Sequence, residues 1–206
     1  ADVASQPVTL DQIRRAFASA QPVVRSEREH LVKRGSAVLV PLYEHEGEVY
    51  VVLTRRSPSL RVHSGEVSFP GGGQDPGEEL VDTARREALE EVALDPATVE
   101  IVGELDHLST ITSDSFIVPY VGLLSGGRPE LRPNPGEVDA VLTVALSELM
   151  LPEVYREERW SIFGDHRSIF FFELYGDTVW GATAAMLRQF LGLVTGTLGR
   201  GELAHL

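Results

Sequence analysis

The sequence predicts an α+β fold, an α/β/α sandwich in which a mixed β-sheet lies between helices. Three observations carry that expectation. Helical periodicities open, interrupt and close the chain; β-rich runs arrive in pairs separated by polar turns; and the order reads helix, strands, helix, strands, helix rather than a strict alternation of strand and helix. A chain of 206 residues with 43% apolar and 24% charged residues has interior enough for one sizeable core. A single domain over residues 1–206 is expected, with about residues 1–30 forming an N-terminal helix and linker.

Thr9 followed by Gln12 is a capping box that opens a short helix with Leu10, Ile13 and Phe17 on one face. After a linker around "QPVVRSEREH", "SAVLVPLYEHEGEVYVVLTRRS" is a hairpin turning at Gly47. "PSLRVHSGEVSFPGGG" is too rich in Pro, Gly and Ser for regular structure, except a short strand at Val67 to Phe69. A helix from about Glu78 to Val92 comes next. "VEIVGELDHL", "FIVPYVGLL" and "VDAVLTVAL" are strands, and "SGGRPELRPNPGE" is a loop. "RWSIFGDHRSIFFFELYG" is a second hairpin turning at Gly164-Asp165, and Thr178 or a neighbour caps a last helix through about Val194. Trp180 and Met186 in that helix, and Phe69, are expected in the core.

The formal net charge of −13 repels nucleic-acid backbones and anionic membranes, so neither is expected as a partner, and a phosphate-bearing ligand needs local arginines or bridging cations. The absence of cysteine excludes a disulfide framework, a thiolate metal site and a cysteine nucleophile, and fits a reducing compartment such as the cytoplasm. "ADVASQPVTLDQ" has neither the basic head nor the apolar stretch of a leader, and no run has the length of a membrane span. The final "AHL" loosely resembles a peroxisomal address, so a peroxisomal location follows only if it is read as one. The partner expected is a small molecule, bound by a monomer or homodimer.

The densest chemistry lies in "FPGGGQDPGEELVDTARREALEEVAL". At about 100° per residue, Glu91 lies about 40° to one side of Glu87 and Glu90 about 60° to the other, so three carboxylates share one arc of the helix. Val81, Ala84, Ala88 and Val92 form an adjacent apolar stripe whose small side chains allow close packing on a sheet. Like charges one turn apart destabilise a helix, so stacking three raises their pKa values or demands a cation. Clustered oxygen ligands without His or Cys suit Mg²⁺ or Mn²⁺.

Spacing makes this more than a solvated acidic face. Gly72, five residues, Glu78, seven residues and then "REALEE" from Arg86 resemble the Nudix box, here residues 72–94. The resemblance implies the Nudix fold, a mixed β-sheet between helices with a loop-helix-loop motif. It implies that Glu87, Glu90 and Glu91 are the metal-binding carboxylates, with the outer pair Glu87 and Glu91 the stronger choice. Arg86 and Glu78 resemble the pair that orients this cluster. Gly71, Gly72 and Gly73 are expected to turn tightly and leave room for a phosphate. Ala93 stands where the box has glycine; a left-handed backbone there costs alanine on the order of 1 kcal/mol, so the following loop is expected to take another path.

Upstream, Leu53-Thr54, Arg56, Arg61, Gly65 and Phe69-Pro70-Gly71-Gly72 resemble the additional motif of the coenzyme A pyrophosphatase branch of that family, and "NPGEVDAVLTVALSEL" and "VWGATAAML" are similar to it more loosely. This resemblance implies a CoA diphosphatase that yields 3′,5′-ADP and 4′-phosphopantetheine, with Arg56, Arg61, Gly71 and Gly72 binding the substrate. Arg55, outside the fixed positions, is either part of the same basic lip or a surface salt bridge, and His63 either touches the ligand or is a bland loop residue. Glu90, Glu91, Arg86 and Glu137 are the catalytic candidates, and the general base is Glu90 or Glu137, the latter from a loop expected to swing over the site. The same box serves ADP-ribose, a dinucleotide diphosphate or a nucleoside triphosphate, and a ligand sensor without turnover is the remaining alternative.

Overall fold

The computed structural model describes residues 7–25, 29, 35–59, 65–109, 116–162 and 165–201, the side chains of 162 and 165 excepted. Arg61, His63 and the final "AHL" lie outside these residues. Helix α1 (Leu10–Ser19) starts as expected: the Gln12 N–H donates to the Thr9 hydroxyl at 3.2 Å and the Thr9 N–H donates to Gln12 Oε1 at 2.8 Å. Its Ile13 and Phe17 are buried and Leu10 is half-buried.

Strands β1 (Gly35–His45) and β2 (Glu48–Arg56) form the first hairpin. Its two-residue turn has Glu46 at φ 52° and Gly47 at φ 79°, the positive pair whose twist matches the flanking strands. Beyond the turn the two strands diverge. The first half of β1 pairs with β4 (Gly71–Gly73), from Ser36↔Gly73 to Val38↔Gly71. The end of β2 pairs with β3 (Val67–Ser68), and β2 from Tyr50 to Arg56 pairs on its other side with β8 (Val138–Ala145). The glycine triplet is thus an extended strand, and none of the three has a positive φ, which corrects the expected tight turn. Glycine is needed here for proximity: a Cβ on Gly71 would overlap the Ala37 carbonyl and Val38, and one on Gly72 would overlap the Glu87 carboxylate.

Strand β7 (Phe116–Leu124) runs parallel to β1, from Gly35↔Phe116 to Leu42↔Leu123, and antiparallel to β5 (Val99–Glu104) and β6 (Leu108–Ser109). That parallel pair makes the sheet mixed. Helix α2 (Leu80–Val92) covers one face, packing Ala84, Ala88 and Val92 against Ala37, Leu39, Val52, Val99 and Leu124. Three of the four stripe residues are fully buried; Val81 is half-buried, and the helix starts two residues later than expected because Glu79 is still extended at φ −80°, ψ 146°. The other face is covered by α1 and α4 (Gly181–Thr195), with Phe17 and Phe190 stacked at 6.2 Å.

After the short α3 (Leu146–Leu149), strands β9 (Tyr155–Ile162), β10 (Asp165–Leu174) and β11 (Asp177–Trp180) form a separate antiparallel sheet in the order β11-β10-β9. Asp165 pairs with Ile162, so it opens β10 rather than turning the hairpin. Thr178 does not cap α4: it sits in β11 and its hydroxyl donates to Glu173 Oε2 at 2.6 Å, a cross-strand bond that holds it in the ladder. Met186 is buried as expected, but Trp180 ends β11 and is 41% exposed. Among the described residues no helix is long and apolar enough to cross a membrane.

Candidate active site

The site is built where α2 crosses β4. Because Gly72 has no side chain, the Glu87 carboxylate lies directly against the strand. One turn on, Glu91 is 3% exposed, and its Oε2 accepts the Gly71 N–H at 3.2 Å. The third member comes from the loop before β8: Glu87, Glu91 and Glu137 each offer a carboxylate oxygen, and the three lie within 4.8 Å of one another. Arg86 frames this group. Its Nε and Nη2 donate to Oε1 and Oε2 of Glu78 at 2.8 and 3.1 Å, a bidentate fork, while Nη1 reaches Glu87 Oε1 at 2.9 Å and Glu90 Oε2 at 3.2 Å.

Electrostatics separates these acids. Glu78 is held down at about 2, first by the Arg86 hydrogen bonds and then by the Thr83 hydroxyl, which donates to it at 2.7 Å. Glu91 is pushed up to about 7, chiefly by burial; the Gly71 N–H and Arg56 oppose the rise, and Glu87 and Glu137 add to it. Glu87 is raised by burial first, against the pull of Arg86, with Glu90 and Glu137 adding to the rise. Arg56 Nη1 stands 3.9 Å from Glu91 Oε1, and its buried Nε has no hydrogen-bond partner among the described residues.

The NUDIX domain family matches residues 33–165. The chain belongs to the Nudix family. Over 186 residues it is 33% identical to "Uncharacterized Nudix hydrolase NudL" of Cronobacter sakazakii, covering 90% of this chain and 94% of that protein. The protein of the same name from Photorhabdus laumondii is 36% identical over 157 residues, covering 76% and 82%. Nudix hydrolase 3 of Caenorhabditis elegans is 43% identical over 116 residues, 55% of this chain, which spans 48% of that relative's length. A MutT/nudix family protein from Enterococcus faecalis matches in structure with a TM-score of 0.56 at 15% identity, over 95% of this chain and 73% of that one, which supports the fold alone.

Within the Nudix helix α2 the structure separates the three glutamates that the helical wheel grouped. Glu87 and Glu91 converge, whereas the Glu90 side chain is 52% exposed and bonded back to Arg86 one turn earlier. The i, i+4 ion pair turns it out of the cluster, and Glu137 takes the third place. Arg55 is committed elsewhere, to Asp139 at 2.9 Å and Asp177 at 3.1 Å, tying β2 to β8 and β11. Ala93 does adopt the left-handed conformation, φ 58°, ψ 31°, so the chain bears the strain at the helix exit instead of avoiding it by another path. Thr83, the hydroxyl that shares Glu78 with Arg86, carries no motif of its own in the sequence; a threonine inside an amphipathic helix, five residues after Glu78, is the available signal.

Proposed function

We propose that this Nudix protein hydrolyses the diphosphate bond of coenzyme A, giving 3′,5′-ADP and 4′-phosphopantetheine, with Mg²⁺ or Mn²⁺ held by Glu87, Glu91 and Glu137. The observation that carries the reading is the convergence of those three carboxylates within 4.8 Å. An all-oxygen donor set suits a hard divalent cation, and the upward shifts at Glu87 and Glu91 mark a cluster that resists ionising without a positive partner. When bound, such a cation offsets the negative charge of the diphosphate and acidifies a water.

The chain's own residues supply the rest. Arg56, whose side chain is 31% exposed beside Glu91, offers the accessible part of its guanidinium to a phosphate oxygen. Arg86, locked to Glu78, holds Glu87 in place and tethers Glu90 through one oxygen, and the base that takes the proton of the attacking water is Glu90 or Glu137. Gly72 lets the Glu87 carboxylate lie against the strand and Gly71 gives its N–H to Glu91, so this strand sets two of the three carboxylates that face the diphosphate. Coenzyme A is preferred over other diphosphates because the run from Leu53 to Gly72 resembles the motif of the CoA pyrophosphatase branch, in which Arg61 adds positive charge for a polyanion with a further 3′-phosphate.

The test is to incubate the purified protein with coenzyme A, ADP-ribose and a dinucleotide diphosphate, each with Mg²⁺ or Mn²⁺, and to identify products by mass. The expected result is cleavage of coenzyme A to the two named products. Cleavage of ADP-ribose with coenzyme A spared would replace the substrate, and tight binding without any cleavage would make the protein a sensor.

A further inference from the structure

Glu137 reaches the cluster from a loop, and the way that loop is fastened is specific. A helix leaves its last carbonyls without partners inside the helix. In α2 the left-handed Ala93 lets the N–H groups of Ala93 and Leu94 return to Leu89 and Ala88 at 2.9 and 3.2 Å. The carbonyls of Glu91 and Val92 are met from outside, by the N–H groups of Asn134 at 2.8 Å and Arg132 at 2.9 Å. The sequence there is "RPNPGE", so Pro133 and Pro135 alternate with the two donors and bring fixed φ but no N–H. The segment donates to two of the carbonyls at the helix end.

Asn134 then turns the chain. Its carbonyl accepts from the N–H groups of Glu137 at 3.0 Å and Val138 at 2.8 Å, and its side-chain Oδ1 accepts the Gly136 N–H at 3.2 Å. The Glu137 carbonyl in turn accepts the Ser57 N–H at 2.8 Å, which fixes the loop to the end of β2. The backbone of Glu137 is therefore tied to the Nudix helix on one side and to the sheet on the other, while its carboxylate joins Glu87 and Glu91.

We propose that Asn134 is a positioning residue that sets Glu137 in the cation cluster, and that the Pro-Asn-Pro segment is a rigid bracket rather than a lid that swings over the substrate. The inference rests on the cation-binding reading of Glu87, Glu91 and Glu137 given above. Its test is Mn²⁺ affinity, measured by calorimetry without substrate on the unaltered protein, Glu137→Gln, Asn134→Ala, Asn134→Ser and the double variant Asn134→Ala/Glu137→Gln. Glu137→Gln is expected to weaken Mn²⁺ by about tenfold, and Asn134→Ala by about three- to tenfold, the worth of one hydrogen bond. Asn134→Ser keeps a neutral acceptor for the Gly136 N–H and restores most of the loss. Because Asn134 acts through Glu137, the double variant binds no more weakly than Glu137→Gln alone. Unchanged affinity in Asn134→Ala, or losses that add in the double variant, would overturn the proposal. Failure of the underlying reading looks different: the unaltered protein would bind no Mn²⁺, or bind it equally well after Glu91→Gln.

Discussion

Glu91 and Asp106 are both buried acids, 3% and 1% exposed, yet their surroundings are opposite. Asp106, between β5 and β6, accepts hydrogen bonds from the Val24 N–H at 3.0 Å, Gln189 Nε2 at 2.5 Å, Arg200 Nη1 at 3.3 Å and the Gly201 N–H at 2.7 Å. One carboxylate thereby fastens the segment after α1 and the segment after α4 to the sheet. Among the described residues Glu91 accepts one backbone N–H at 3.2 Å, has an arginine no nearer than 3.9 Å and faces two other carboxylates. The first acid is satisfied by the protein and holds it together. The second has one hydrogen-bond donor among the described residues and like charge around it, and under the proposed function its partner is a cation from outside.

The sharpest way to break that contrast is to remove each acid and ask what is lost. Asp106→Ala leaves Arg200 and Gln189 buried without their acceptor, and should cost about 3–5 kcal/mol in denaturant unfolding while sparing kcat of the folded fraction. A small loss of stability would mean that the network is ornamental. Glu91→Gln should do the reverse, lowering turnover by about 10²–10³-fold with a melting temperature unchanged or raised. Unaltered turnover would remove the metal assignment.

The pH dependence of stability in the chelated protein sharpens the comparison further. The Glu91 pKa is raised from 4.5 to about 7 in the fold, so the folded state holds a proton that the unfolded chain releases, and stability should fall as pH rises from about 4.5 to about 7. Glu91→Gln should flatten that part of the profile. Beside Asp106 the titrating group is His107. Burial pulls it down, but its hydrogen bonds to Glu104, at 2.9 Å, and to Glu29 outweigh this and leave it above 6.5. Its contribution is fully present below 6.5 and lost as pH rises through its higher folded value, so His107→Gln should flatten the upper part instead. Profiles that respond to neither substitution would contradict both environments. The smallest effect expected is at the helix exit between the two regions: Ala93→Gly relieves a left-handed alanine and should stabilise by up to about 1 kcal/mol, with turnover unchanged.

Legibility in the sequence followed the range of the interactions. Thr9 with Gln12, Gly47 in its turn and the alanine stripe of α2 act over one or two turns of chain, and each was readable from spacing. Arg86 and Glu78 were readable because one helix and its entry loop contain both. Glu137 was visible as an acid in a Pro-rich loop, but its place beside Glu91 depends on Arg132 and Asn134 docking on the helix end, a contact that no local pattern encodes. A helical wheel groups Glu90 with the pair because it places Cα directions, whereas the Arg86 ion pair decides where the carboxylate goes. The Asp106 network went unread for the same reason of distance, although Gln189, a lone amide within the apolar run "AAMLRQFLGL", was a signal that something buried needed its hydrogen bonds.

The most direct test of the account is the position of bound cations. In crystals soaked in Mn²⁺, anomalous difference maps should show a peak contacted by Glu87, Glu91 and Glu137, with Glu90 still directed to Arg86. A peak held by Glu90 without Glu137, or no peak beside Glu91 at all, would contradict it.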